Sequence, residues 1–232
     1  TTGGSSSSGT FTLNDSSSIN VPSSLVGKIL TESFYDQSSS ENFTQTMYFQ
    51  SDSKLLEIQE GGVSGLYEIY DPSYTFSVTG NIATLKTTMG TDTATYTLLF
   101  TSETGGYSDY SNSYSDILSS GSFTLSDSTG GYSPSDLVND QMIIDGVTYV
   151  FKANNVCTIR SDTGSSDSTY RLIKTGQNTA VLSIPADHHS GGSILKLTFS
   201  SISSGTISGG GTGNFSYYPE GTSAPSTKGC MW

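Results

Sequence analysis

The feature that most constrains this chain is a five-residue pattern that occurs three times. Gly121-Ser122-Phe123-Thr124-Leu125 has counterparts in Gly9-Thr10-Phe11-Thr12-Leu13 and Gly213-Asn214-Phe215-Ser216-Tyr217. Each copy is a glycine followed by alternating small-polar and apolar residues, the period of a strand with one face buried and one in water. The stretches between the copies also match in order. Pro22-Ser23-Ser24-Leu25-Val26 corresponds to Pro134-Ser135-Asp136-Leu137-Val138, and residues 47–50 to 147–152, with Phe151 in the place of Phe49. Val78-Thr79-Gly80 before Ala83-Thr84-Leu85 corresponds to Lys174-Thr175-Gly176 before Ala180-Val181-Leu182, and residues 96–102 correspond to 195–201. Four anchors in one order mark an internal duplication. The chain divides into a linker and extra strand over 1–13, a first β unit over 14–125, a second over 126–218 and a Pro/Gly/Ser-rich tail over 219–232.

Within the first unit, strands are expected at 28–35, 43–50, 54–59, 66–70, 74–78, 83–88, 95–102 and 119–125. Turn residues separate them at short, even spacings, as in Thr79-Gly80-Asn81, where Gly and Asn tolerate positive φ. No stretch has a 3.6-residue apolar period. The expected class is all-β: two tandem antiparallel β-barrel or β-sandwich units with one extra N-terminal strand.

Hydrophobic residues make up 33% of the chain and charged residues 13%. Disordered chains combine low hydrophobicity with high charge and few aromatics. This one carries 14 Tyr and 10 Phe among its Ser, Thr and Gly, which suits strands with polar outer faces. The net charge of −12 repels phosphate backbones and excludes a nucleic-acid partner. No run approaches the roughly 18 apolar residues of a membrane span. No signal-peptide region is present, as expected of a processed form. With two cysteines, Cys157 and Cys230, and few lysines, the composition suits an oxidising, extracellular or cell-surface setting in which the two could form a disulfide.

The chain resembles the Gly/Ser/Thr-rich β repeats of many secreted bacterial proteins, in which a Ser-Leu-x-Gly-Lys opening (here Ser24-Leu25-Val26-Gly27-Lys28) leads to a Gly-x-Phe-Thr-Leu end. It is also similar to the up-and-down meander of the lipocalin and avidin superfamily. The second unit has Asn139-Asp140 where the first has Gly27-Lys28. The resemblance implies an architecture and assigns no ligand.

Candidate sites are few. His188 and His189 are adjacent beside Asp187, and adjacent strand residues face opposite ways, so a polar hairpin tip is expected there. No GxSxG elbow accompanies them. Glu32, Asp36, Glu57, Glu68 and Asp71 read as solvated strand faces and turns. Asn14, Asn42 and Asn214 each begin a formal glycosylation sequon, as chance expects in so polar a chain. The segment 106–116 reads as a Tyr/Asp-rich loop, in which Tyr107, Asp109, Tyr110, Tyr114 and Asp116 offer ring faces and short polar groups to a sugar or a calcium ion. It lacks the D-x-D-x-D-G calcium pattern, so no cofactor is assigned. Tyr217-Tyr218 is a second aromatic pair, and the tail reads as a linker or frayed end, with Trp232 as an anchor on a neighbour the alternative.

These residues point to a non-enzymatic secreted or cell-surface structural protein. Gly9, Thr10, Phe11, Thr12 and Leu13 form a surplus strand able to complete an open edge in the same chain or the next, so the expected partner is a further copy or another surface protein. The alternative is a carbohydrate- or small-ligand-binding β module that uses the tyrosine loop and a barrel mouth.

Overall fold

The computed structural model describes residues 19–36, 40–61, 66–113, 119–185, 193–208 and 212–222. Apart from one 3-10 turn at Ala153–Asn155, their regular structure is all strand. The first unit contains β1 (Lys28–Asp36), β2 (Glu41–Phe49), β3 (Leu55–Gly61), β4 (Leu66–Tyr70), β5 (Ser73–Thr79), β6 (Ile82–Met89), β7 (Asp92–Ser102), β8 (Gly105–Asn112) and β9 (Ser119–Asp127). The second contains β10 (Gln141–Ile144), β11 (Val147–Lys152), β12 (Val156–Ser161), β13 (Gly164–Thr169), β14 (Arg171–Lys174), β15 (Thr179–Ile184), β16 (Ser193–Ser201), β17 (Ser204–Ser208) and β18 (Gly213–Tyr218).

Each unit is one antiparallel meander curled on itself. The strand orders are β4-β3-β2-β1-β9-β8-β7-β6-β5 and β13-β12-β11-β10-β18-β17-β16-β15-β14. First and last strands pair, as in Leu30 with Leu125 and Met142 with Tyr217, and a seam is left between the fourth and fifth. Backbone bonds span each seam near its start, with Tyr74 N donating to Ser53 O at 3.0 Å and Tyr170 N to Asn155 O at 2.8 Å. The alternation read from sequence fills the interiors. Leu30, Met47, Phe49, Leu55, Leu85, Leu98, Phe100 and Phe123 form one core, and Met142, Phe151, Cys157, Leu182, Leu197, Phe199 and Phe215 the other.

The duplication holds to the level of single hydrogen bonds. Gly27 N donates to Phe49 O as Asn139 N does to Phe151 O, and Phe100 N donates to Asn81 O as Phe199 N does to Asn178 O. Edge-to-face pairs recur as Phe49–Tyr74 and Phe151–Tyr170, with centroids 5.0 and 4.8 Å apart. The β7–β8 and β16–β17 hairpins share a register shift, followed by a glycine packed against the partner strand. A Cβ on Gly106 would lie 1.9 Å from Leu99 O, and one on Gly205 2.1 Å from Thr198 O.

Two sequence expectations change at this level. The segment read as a tyrosine loop is strand β8 across its described part. The surplus-strand expectation narrows: each first strand is already paired with its own unit's last strand, so among the described residues the edges without a strand partner are β4, β5, β13 and β14. Gly9, Thr10, Phe11, Thr12 and Leu13 themselves lie outside the described residues.

The outer face of β3 meets the second unit. Ile58, Ile173 and Val181 are fully buried together, flanked by Tyr48, Leu56 and Ile194. Lys196 Nζ reaches Glu60 at 2.8 Å and Arg171 reaches Asp71 at 3.4 Å. Exposed pairs of this kind contribute about 0–1 kcal/mol each, so the aliphatic contact is the main attraction.

Candidate functional site in the first barrel

The interior of the first unit is apolar in one part and polar in the other. On the inward face of β1, Leu30 is followed by Glu32 and Phe34. Inward from β2 come Phe43 and Gln45, from β3 Glu57 and Gln59, from β7 Ala94 and Tyr96, and from β8 Ser108, Tyr110 and Asn112. Two adjoining cavities of ≈ 250 and ≈ 180 Å3 open here, sharing Glu57, Gln59, Tyr96, Tyr110 and Asn112 as walls. The larger extends to Tyr70 and Pro72 at the seam and to Met89 and Asp92 at the β6–β7 turn. The smaller runs along Phe34, Gln45 and Ser119.

Aromatic rings form one wall. Phe34 stacks on Phe43 at 5.7 Å and on Tyr110 at 6.3 Å, and Tyr110 lies 5.0 Å from Tyr96. Gln45 Nε2 donates to Tyr96 Oη at 2.9 Å, and Asn112 Nδ2 to Tyr110 Oη at 3.0 Å. These contacts hold the rings in place.

Glu32 sits two residues deeper than Phe34 on the same strand face, beneath the chamber and outside the lining of either cavity. It is 1% exposed, and neither carboxylate oxygen makes a hydrogen bond of normal geometry. Burial pushes its pKa up from 4.5 to about 6, a rise the nearby Ser108 hydroxyl only partly opposes. Burial also carries Glu57, which lines both cavities, to about 7; the Gln45 side chain opposes that rise and the Glu32 charge adds to it. Tyr96 is driven upward by burial first and by the Glu57 charge second.

The second unit shows what the fold requires at these positions. Register equates Glu32 with Ile144, since they face Phe123 and Phe215. By the same logic Gln45 corresponds to Val147, Glu57 to Ile159, Thr87 to Ile184, Tyr96 to Leu195 and Ser108 to Ile207. Each of these six polar side chains has an aliphatic counterpart. The second unit does bury a carboxylate, but a partnered one: Asp140 accepts from Tyr217 Oη and from Glu220 N at 2.8 Å. Glu32 has no such partners.

The first unit's strands are also longer. β1 and β2 run nine residues each against four and six for β10 and β11. The added length carries Phe34 and Phe43. The inward residue Tyr110 likewise lies beyond the position matching the end of β17 at Ser208.

Sequence reading treated Glu32 and Glu57 as solvated, and the structure corrects this: both face the interior. Asp71 is exposed, as expected, and paired with Arg171. The side chains of Asp36 and Glu68 lie outside the described set. Strand alternation divides the tyrosine group, because Tyr110 lines the chamber whereas Tyr107, 62% exposed, and Asp109 face outward. Tyr114, Asp116, His188, His189, Cys230 and Trp232 are outside the described residues. Cys157 is a free thiol buried in the second core, its pKa raised to about 12 chiefly by burial. Among the described residues, no three His, Cys, Asp or Glu side chains are disposed to hold a metal ion, and no helix is long and apolar enough to cross a membrane. A register-by-register comparison of the two halves would have exposed the chamber from sequence, had the inward faces been known.

No protein-family model matches the chain, and no curated protein matches it. Among solved structures, it is similar at low level to kievitone hydratase from Nectria haematococca, with a TM-score of 0.26, 9% identity, and coverage of 88% of this chain and 92% of that one. A porin-like protein from Bacteroides uniformis gives a TM-score of 0.22 at 10% identity, covering 88% and 100%. Likenesses this distant carry no functional argument.

Proposed function

We propose that the first unit is a small-ligand-binding barrel of an extracellular or cell-surface protein, with the ligand held between the aromatic wall and the Glu32–Glu57 floor. The second unit, with aliphatic side chains at the six matching positions, is its structural counterpart. The observation that carries this reading is the replacement of six aliphatic interior positions by polar ones in only one of two duplicated units. Burying polar groups costs free energy unless they are paired, so the fold alone gives no reason for them.

Ligand-observed NMR on a mixture of small sugars, amines, alcohols and aromatic acids tests this reading. Compounds that bind the wild-type chain should weaken at least tenfold with Gln45→Val/Tyr96→Leu, which installs the second unit's residues. They should bind unchanged to Tyr107→Ala/Asp109→Ala, altered only on the outer face. Binding that is equal in both variants, or absent throughout, rejects the chamber.

Strand-mediated self-association is a second reading, supported by the open edges at each seam. Light scattering and negative-stain imaging of the full chain should then show assemblies that a chain lacking Thr1–Leu13 does not form. Identical states for the two would remove it.

A further inference from the structure

We propose that the ligand of the first barrel is an organic ammonium ion, held by Glu57 and the Glu32 field and faced by the rings of Phe34, Tyr96 and Tyr110. The inference rests on the chamber reading above and adds the charge of the occupant.

Three observations converge on a cation. The lining contains Glu57 and Asp92, with Glu32 beneath, and no Lys, Arg or His. An anion entering would meet like charges in a region of reduced dielectric. Next, the buried side chains left without a partner include the two acceptor-only oxygens of Glu32, beside the Ser108 and Ser119 hydroxyls, which accept as readily as they donate. The amide nitrogens of Gln45 and Asn112 donate to the tyrosine hydroxyls, whereas both Glu32 oxygens have no donor. An ammonium group supplies donors and positive charge together. Finally, the lining carries the rings of Phe34, Tyr96 and Tyr110, and an aromatic ring attracts a cation placed over its face, most strongly where water is excluded. The two cavities are smaller than the roughly 300–1,000 Å3 pockets of drug-sized molecules, so the occupant is compact.

The second unit again provides the contrast. Its interior is a packed apolar core, with neither the carboxylates nor the rings at matching positions. What distinguishes the first unit is negative charge beside aromatic surface.

This arrangement predicts proton linkage. The groups facing Glu57 are Glu32 from β1, Gln45 from β2, Tyr70 from β4, Asp92 and Tyr96 from β7, and Tyr110 from β8. All are acidic or neutral. Without ligand, Glu57 and Glu32 hold protons up to about pH 7 and 6. A bound cation favours the carboxylate forms, so binding releases protons and strengthens as pH rises through that window.

The test is calorimetric titration of the full chain with benzylammonium, its neutral isostere benzyl alcohol, and benzoate, at pH 8 and pH 5.5. Benzylammonium should bind at least tenfold tighter than benzyl alcohol at pH 8, and at pH 5.5 it should release protons on binding and lose most of that advantage. Benzoate should be the weakest. Glu57→Gln should abolish the preference for the cation. Glu57→Ile, the second unit's residue type, serves the same purpose should the glutamine variant fold poorly. Benzyl alcohol or benzoate binding as tightly as the amine at pH 8, with loss in Gln45→Val/Tyr96→Leu, overturns the ammonium inference and leaves the chamber standing. If none of the three binds, an uncharged or anionic binder from the broader mixture again overturns this inference alone. A cationic one supports it, and no binder of any kind overturns both.

Discussion

At the scale of single residues, Glu32 shows how a side chain can be misjudged without its neighbours. A glutamate on an alternating strand ordinarily marks the water side, because ionised carboxylates are rarely buried unless paired. Here it marks the interior, and its burial costs stability at neutral pH. The folded-state pKa values of Glu32 and Glu57, about 6 and about 7, lie above the ordinary 4.5. Between 4.5 and 7 the native state therefore binds more protons than the unfolded chain. The resulting stability is complete below about pH 4.5 and is lost as pH rises through 6 to 7. A tenfold difference in proton affinity between the two states is worth about 1.4 kcal/mol, so the coupled pair accounts for a few kcal/mol. Thermal unfolding at fixed ionic strength should show Tm falling from pH 5 to pH 8. Glu32→Ile should raise stability at pH 8 by about 1–3 kcal/mol and flatten that slope. A flat wild-type profile, or a destabilised variant, would show that the carboxylate is better solvated than its burial indicates.

At the scale of elements, the strands were legible where one face is apolar and obscured where it is not. The expected strand at 66–70 matches β4, and those at 83–88 and 119–125 fall inside β6 and β9, where Ala83 and Leu85, and Phe123 and Leu125, give the inner face its apolar contrast. β8 escaped notice. Its inward residues are Ser108, Tyr110 and Asn112, so the inner face is nearly as polar as the outer and the period-two contrast disappears. The failure and the site share one cause: a strand that lines a polar chamber loses the signal by which strands are recognised. The unequal hairpins follow the same logic. Residues 28–36 and 41–49 pair almost end to end, and the extra length serves the chamber wall rather than the core.

At the scale of the whole molecule, two related β units meet along one face. Their contact is centred on Ile58, Ile173 and Val181, and it couples their stabilities. A buried charge placed there has no partner and should cost several kcal/mol. Ile58→Lys is therefore expected to split a single calorimetric transition into two, with the core of each unit intact. A variant that still melts in one transition would mean that the interface carries little of the coupling.

What the sequence determined by itself is the repeat, the class and most strand positions. These depend on local alternation and on glycines at turns, which any stretch of chain carries with it. What only the tertiary structure decided is which alternate face turns inward at the polar strands, and which distant residues meet there. Glu32 and Glu57 are separated by an intervening strand, and Tyr96 and Tyr110 approach them from the other arm of the meander. Their proximity results from closing the sheet through the β1–β9 pairing. That closure is a property of the whole curled sheet, written in no single segment of the chain.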